Sequence, residues 1–146
     1  MPTNKARPPV EPLVEKWSRL LHVGDWWRIS GKYVGHADLM GNATTGQVRR
    51  QRQHRVAEIW ILDPKLDRAS AADRFDYDVE EDVIQEHLHI VFTELEALMD
   101  EAKELLPTDI GENWFKRADH ENEVVINHLA RVLKEVAGTS AQSKTG

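Results

Sequence analysis

The sequence contains no cysteine, which removes disulfide frameworks, thiolate nucleophiles and thiolate-ligated zinc together. Any metal must then be held by His, Asp or Glu. Long apolar runs are missing as well: no stretch approaches the roughly 20 residues that cross a bilayer, so no membrane partner is expected. Met1 to Pro12 carries Lys5 and Arg7 but no apolar segment of the secretory kind, which makes a cytoplasmic location the expectation. Positive charge is scarce, with 19 Lys and Arg against 25 Asp and Glu, so general attraction to nucleic acid or anionic lipid is not the default. What remains is a chain of 146 residues, 40% apolar and with five Trp. That is enough for one domain with one core and too aromatic for a disordered chain.

Residues 1–9 are polar and Pro-rich and residues 138–146 small and polar, so both read as flexible tails around a folded domain at 10–137. Leu13, Val14, Trp17, Leu20 and Leu21 recur at three and four, which predicts a first helix over Glu11–His22 ended by Gly24. Trp27 to Val34 is rich in β-formers and broken at Gly31, as in a strand with a bend or bulge. A Gly-, Asn- and Thr-rich loop is expected over Met40–Gly46. The segment Gln47–Leu62 follows, its second half apolar enough for a buried strand and stopped by Asp63-Pro64. Lys65–Asp78 reads as a connecting loop. Val83, Ile84, Leu88, Val91, Phe92, Leu95, Leu98, Met99 and Ala102 predict one long helix over Val79–Leu105. Val125, Ile126, Leu129, Val132, Leu133 and Val136 predict a last one over Asp119–Val136. The expected class is α+β: a small, mainly antiparallel sheet against about three helices.

The chemistry concentrates in the long helix, where Gln85, Glu86, His87 and His89 interrupt an apolar stripe. At 100° per residue Gln85 and His89 share a face with Glu86 on its shoulder, while His87 points nearly the opposite way, exposed or packed at the helix surface. Two imidazoles one helical turn apart chelate one Zn2+, and a neighbouring Glu takes a proton from water on the metal. Here the first of the two positions is Gln85.

In this respect the chain resembles small, phage-type zincin-like metallopeptidases, whose helix carries His-Glu-x-x-His. The likeness covers most of the chain: an N-terminal helix, a Trp-containing strand (Trp26-Trp27-Arg28-Ile29), an Ala-x-Ile strand (Ala57-Glu58-Ile59), an acidic approach (Glu80-Glu81-Asp82) and then Gln85-Glu86-His87-Leu88-His89. The resemblance implies a zincin-like fold and hydrolysis of a peptide bond in a peptide or protein substrate lying along a sheet edge. It also implies a Zn2+ held by His89 and by Glu123 on the last helix, with Glu86 as general base and Asn127 orienting the His89 ring. A neutral amide is a far poorer zinc ligand than an imidazole, so Gln85 leaves two good ligands where the pattern has three. Three arrangements stay open: Gln85 binds weakly through its oxygen, His87 enters by a local distortion of the helix, or no metal is held and the fold alone survives. The last is favoured.

The rival reading is a non-catalytic module that binds protein or nucleic acid. The one basic concentration, Arg49, Arg50, Arg52, His54 and Arg55, could touch phosphates, and a charged strand edge that discourages aggregation is the simpler account. Trp26, Trp27 and Trp60 are expected in the core. Glu80, Glu81 and Asp82 suit the N-terminus of the long helix, with Asp78 as its cap. Glu86-x-x-His89 also resembles half of a di-iron bundle motif, but no second half is present.

Overall fold

The computed structural model describes residues 8–39, 45–63 and 78–143, so most of the loops expected over Met40–Gly46 and Lys65–Asp78, and the ends at 1–7 and 144–146, lie outside the described residues. The class is α+β. Among the described residues four α-helices, α1 (Val10–Leu20), α2 (Val79–Val91), α3 (Thr93–Leu105) and α4 (Thr108–Ser143), accompany three strands, β1 (Arg28–Val34), β2 (Gly46–Gln51) and β3 (Val56–Leu62). No helix among the described residues is long and apolar enough to cross a membrane.

The sheet order is β1-β3-β2, with β1 parallel and β2 antiparallel to β3. The expected mainly antiparallel sheet is therefore mixed, and the cause lies in β3. Val56-Ala-Glu-Ile-Trp-Ile-Leu62 is apolar on both faces and buries most of its length, which only a central strand allows. Placing it centrally sends the two more polar strands to the edges. Gly31 stays inside a continuous β1 and makes no bulge.

Gly31 has a different duty. A Cβ there would stand 2.6 Å from Val14 Cγ2 and 2.8 Å from Val10 Cγ1, so the bare backbone is what lets α1 lie against the sheet. Gly31→Ala should therefore push α1 outward and cost about 1–3 kcal/mol by overpacking. Urea unfolding measures this, and a loss within 0.5 kcal/mol would show that α1 shifts freely.

α1 and α2 pack on the sheet, α4 packs on α2, and α3 packs on α4. Val14, Trp17, Ile59, Ile61, Val83, Ile84 and Ile126 form the centre of the core. The expected long helix over 79–105 is interrupted at Phe92 (φ −88°, ψ 11°). Arg50 Nη1 and Thr93 Oγ1 both donate to the His89 carbonyl, at 2.8 and 3.2 Å, and side chains inserted into a helix ladder bend it. This break raises the helix count from three to four. α4 begins earlier than expected and continues past Gly138 to Ser143. At the other end, α1 stops at Leu20 with His22 in the left-handed region (φ 56°), so His22 rather than Gly24 turns the chain.

Candidate functional site

The N-terminus of α2 is built as its sequence dictates: Asp78 caps it by accepting from the Glu81 amide at 3.1 Å, and three acids occupy the first turn. α4 is tied alongside by Arg131 to Glu81 at 3.3 Å and by Lys134 to Asp78. The regular helix that follows brings Gln85, Glu86 and His89 to one cavity of about 540 Å3, where Glu123 and Asn127 of α4 meet them. All five residues expected in the centre thus line the same space.

His89 is held at both ring nitrogens. Nδ1 lies 3.2 Å from Glu96 Oε2, and Nε2 lies 3.1 Å from Glu123 Oε1. A ring between two carboxylates is best served as an imidazolium donating to both. Burial works against that charge, but the hydrogen bonds to Glu123 and Glu96 and the charges of Glu86 and Glu123 outweigh it and lift the His89 pKa to about 10. Arg50 Nη2 donates to Glu96 Oε1 at 3.1 Å. For Glu96, burial is likewise outweighed by the bond to His89 and the charges of His89 and Arg50, so its carboxyl sits below the ordinary range.

Deeper in the wall, Glu86 and Asp82 stand one helical turn apart against β2. A Cβ on Gly46 would lie 3.2 Å from Glu86 Oε1 and 3.6 Å from Asp82 Cβ, so the strand runs close against both residues. Burial is the main reason the Glu86 carboxyl is pushed up to about 7; the His89 charge opposes the rise and Asp82 and Glu123 reinforce it. Burial also raises Asp82 to about 6, against a hydrogen bond from Thr45. Asp82 Oδ2 is buried with no hydrogen-bond partner among the described residues.

Several expectations are corrected. His87 is neither exposed nor at the helix surface: it is fully buried beneath α1. Its Nδ1 lies 2.8 Å from the Val83 carbonyl, which can only accept, so Nε2 takes the Ser18 hydroxyl proton at 2.9 Å. Burial lowers its pKa, and with α2 regular it stays on the far side from the cavity. Trp27 and Trp60 are buried as expected, but Trp26 is 75% exposed: it closes the 3-10 turn over 23–25 in helical geometry (φ −119°, ψ −22°), before β1 begins at Arg28. Asn127, expected to orient the His89 ring, lines the cavity, while the two ring nitrogens face Glu96 and Glu123.

The basic run is engaged internally. Arg50 reaches α2 and α3 as described, Arg52 Nε meets Glu94 Oε1 at 3.1 Å, Arg55 lies 3.9 Å from Glu94, and Arg49 stacks 3.7 Å over Trp60. Phosphates would have to compete with these contacts. Glu96 went unnoticed in the sequence, although the signal was there: it follows His89 by seven residues, two helical turns along the same face.

The residues present meet a divalent cation part of the way. Two donors on one tetrahedral Zn2+, each at about 2.0–2.1 Å, stand about 3.3–3.4 Å apart, close to the 3.1 Å between His89 Nε2 and Glu123 Oε1. Glu96 on the other ring nitrogen is the usual partner of a metal-binding imidazole. Among the described residues, however, no three His, Asp or Glu side chains converge as a ready cage. The set fits a two-donor site, one strong ligand short of the three that an open catalytic zinc site has. Compared with protein-family models, with curated proteins and with solved structures, the chain finds no match.

Proposed function

We propose that this chain is a zincin-like metallopeptidase domain with a degenerate centre, a frame for peptide-bond hydrolysis in which Gln85 stands in place of the first imidazole. Tight zinc binding, and the hydrolysis that depends on it, are strongly reduced. The observation that carries the reading is the meeting of Gln85, Glu86 and His89 with Glu123 and Asn127 in one cavity. His89 and Glu123 would hold the cation, with Gln85 adding its amide oxygen. When bound, it would supply Lewis acidity to water and to a peptide carbonyl. Glu86, buried and titrating at about 7, is suited to hold and pass a proton near neutrality.

A cation must displace the His89 proton. With that pKa at about 10, the competition weakens binding by about three orders of magnitude at pH 7 and relaxes about tenfold for each unit of rising pH. Zinc titration of the unaltered chain should therefore give weak binding that strengthens from pH 6.5 to 8.5 and is abolished by Glu123→Ala. Binding independent of pH, or untouched by Glu123→Ala, would place the metal elsewhere. A second reading, a metal-free peptide-binding module, is favoured by one observation: both His89 nitrogens are already satisfied by carboxylates. Retention of an extended peptide library by chelator-treated protein, lost on blocking the cavity with Gly46→Leu, is its expected mark.

A further inference from the structure

We propose that Glu96, locked by Arg50, is the positioning residue of this centre: it fixes the ring of His89 so that Nε2 is aimed at Glu123. Neither residue belongs to the helix motif. They come from α3 and from β2, and three contacts join them to each other and to His89. Glu96 Oε2 accepts from His89 Nδ1 at 3.2 Å, Arg50 Nη2 donates to Glu96 Oε1 at 3.1 Å, and Arg50 Nη1 donates to the His89 carbonyl at 2.8 Å. One guanidinium thus fixes both the backbone of His89 and the carboxylate that holds its ring.

The same contacts sit where the helix is interrupted. The His89 carbonyl is shared between Arg50 and Thr93, the interruption at Phe92 follows, and α3 then carries Glu96 against the ring. In a straight helix two residues seven apart are separated by about 10.5 Å along the axis, near the limit of what His and Glu span together. The interruption has a use in this arrangement, because the residue bonded to the His89 carbonyl beside it is also the one that orients the incoming carboxylate. Arg50 is three-quarters covered in doing so, unlike Arg52 and Arg55, whose ion pairs lie in solvent and count for little.

A ring held at Nδ1 by a carboxylate keeps Nε2 in one direction, which a metal-binding imidazole requires. The inference rests on the proposed centre for its metal arm alone, since the hold on the ring can be read without metal. Nitrogen-15 NMR of the histidine rings should show a protected, downfield Nδ1–H for His89. Glu96→Ala should abolish it and Glu96→Gln, whose amide oxygen still accepts, should largely restore it. The His87 ring, bonded to Val83 and Ser18 on the opposite face, serves as the internal reference and should not move. In the Gln85→His background, Glu96→Ala should weaken zinc about 10–100-fold, with rescue by Glu96→Gln. An unchanged His89 signal in Glu96→Ala overturns the proposal, as does zinc affinity equal to that of Gln85→His alone. If Gln85→His takes no zinc while the ring signals respond as described, the positioning role stands and the metal reading falls.

Discussion

Gln85→His should convert the chain into a tight zinc binder. Closed zinc sites with four protein ligands bind with apparent free energies of about 10–16 kcal/mol, or about 2.5–4 kcal/mol for each strong ligand. Exchanging an amide for an imidazole should therefore tighten zinc by about a hundredfold. The geometry asks for nothing else: position 85 is one turn before His89 and lines the same cavity, and Glu123 already stands 3.1 Å from His89 Nε2. Because zinc binds only the folded chain, stability provides a second readout. At free zinc a hundredfold above Kd the variant should gain about 2.7 kcal/mol against unfolding, while the unaltered chain gains far less at the same concentration. Calorimetric titration and urea unfolding with and without zinc measure both. A folded variant that takes no zinc would mean that His89 and Glu123 do not form one centre. The reading of the cavity as a metallopeptidase site would then have to be given up.

The parts of the site that could be read in the sequence are those fixed by helix geometry. Gln85, Glu86 and His89 share a cavity and His87 faces away because 3.6 residues per turn leave no other choice. Whether the far side is solvent or core is not a property of α2. His87 is buried because α1 crosses it and Ser18 supplies a hydroxyl, a contact spanning 69 residues. The sheet followed the same division. The apolar run of β3 was legible as a buried strand, but its central place, and with it the parallel β1, depends on how the two polar neighbours share its edges. The basic run shows the limit most sharply. Residues alternate in direction along β2, so Arg50 turns inward while Arg49 and Gln51 turn outward. Only the fold reveals that the inward one meets Glu96 and breaks the expected long helix.

Asp82→Asn should stabilise the protein, by an amount that grows with pH. A carboxyl whose pKa rises on folding binds its proton more tightly in the native state, so the native state is favoured most at low pH. That advantage is lost as pH climbs from the unfolded pKa through the folded one. For Asp82 the window runs from 3.8 to about 6. At 1.36 kcal/mol for each pH unit, the ionised side chain costs about 3 kcal/mol above the window. An amide carries no charge into the buried site and keeps an oxygen for Thr45, so about 2 kcal/mol should be recovered at pH 8 and almost nothing at pH 4. Urea unfolding at pH 4, 6 and 8 decides it: an effect equal at all three would show that charge burial is not the cause. The same substitution bears on Glu86, whose carboxyl is raised in part by the charge of Asp82. Its pKa should fall from about 7 in the variant, seen by carbon-13 NMR of the labelled carboxyl. A stabler protein with a more acidic Glu86 would identify Asp82 as a residue whose burial weakens the fold while holding the neighbouring carboxyl near neutrality, a trade expected of a working site and not of a core.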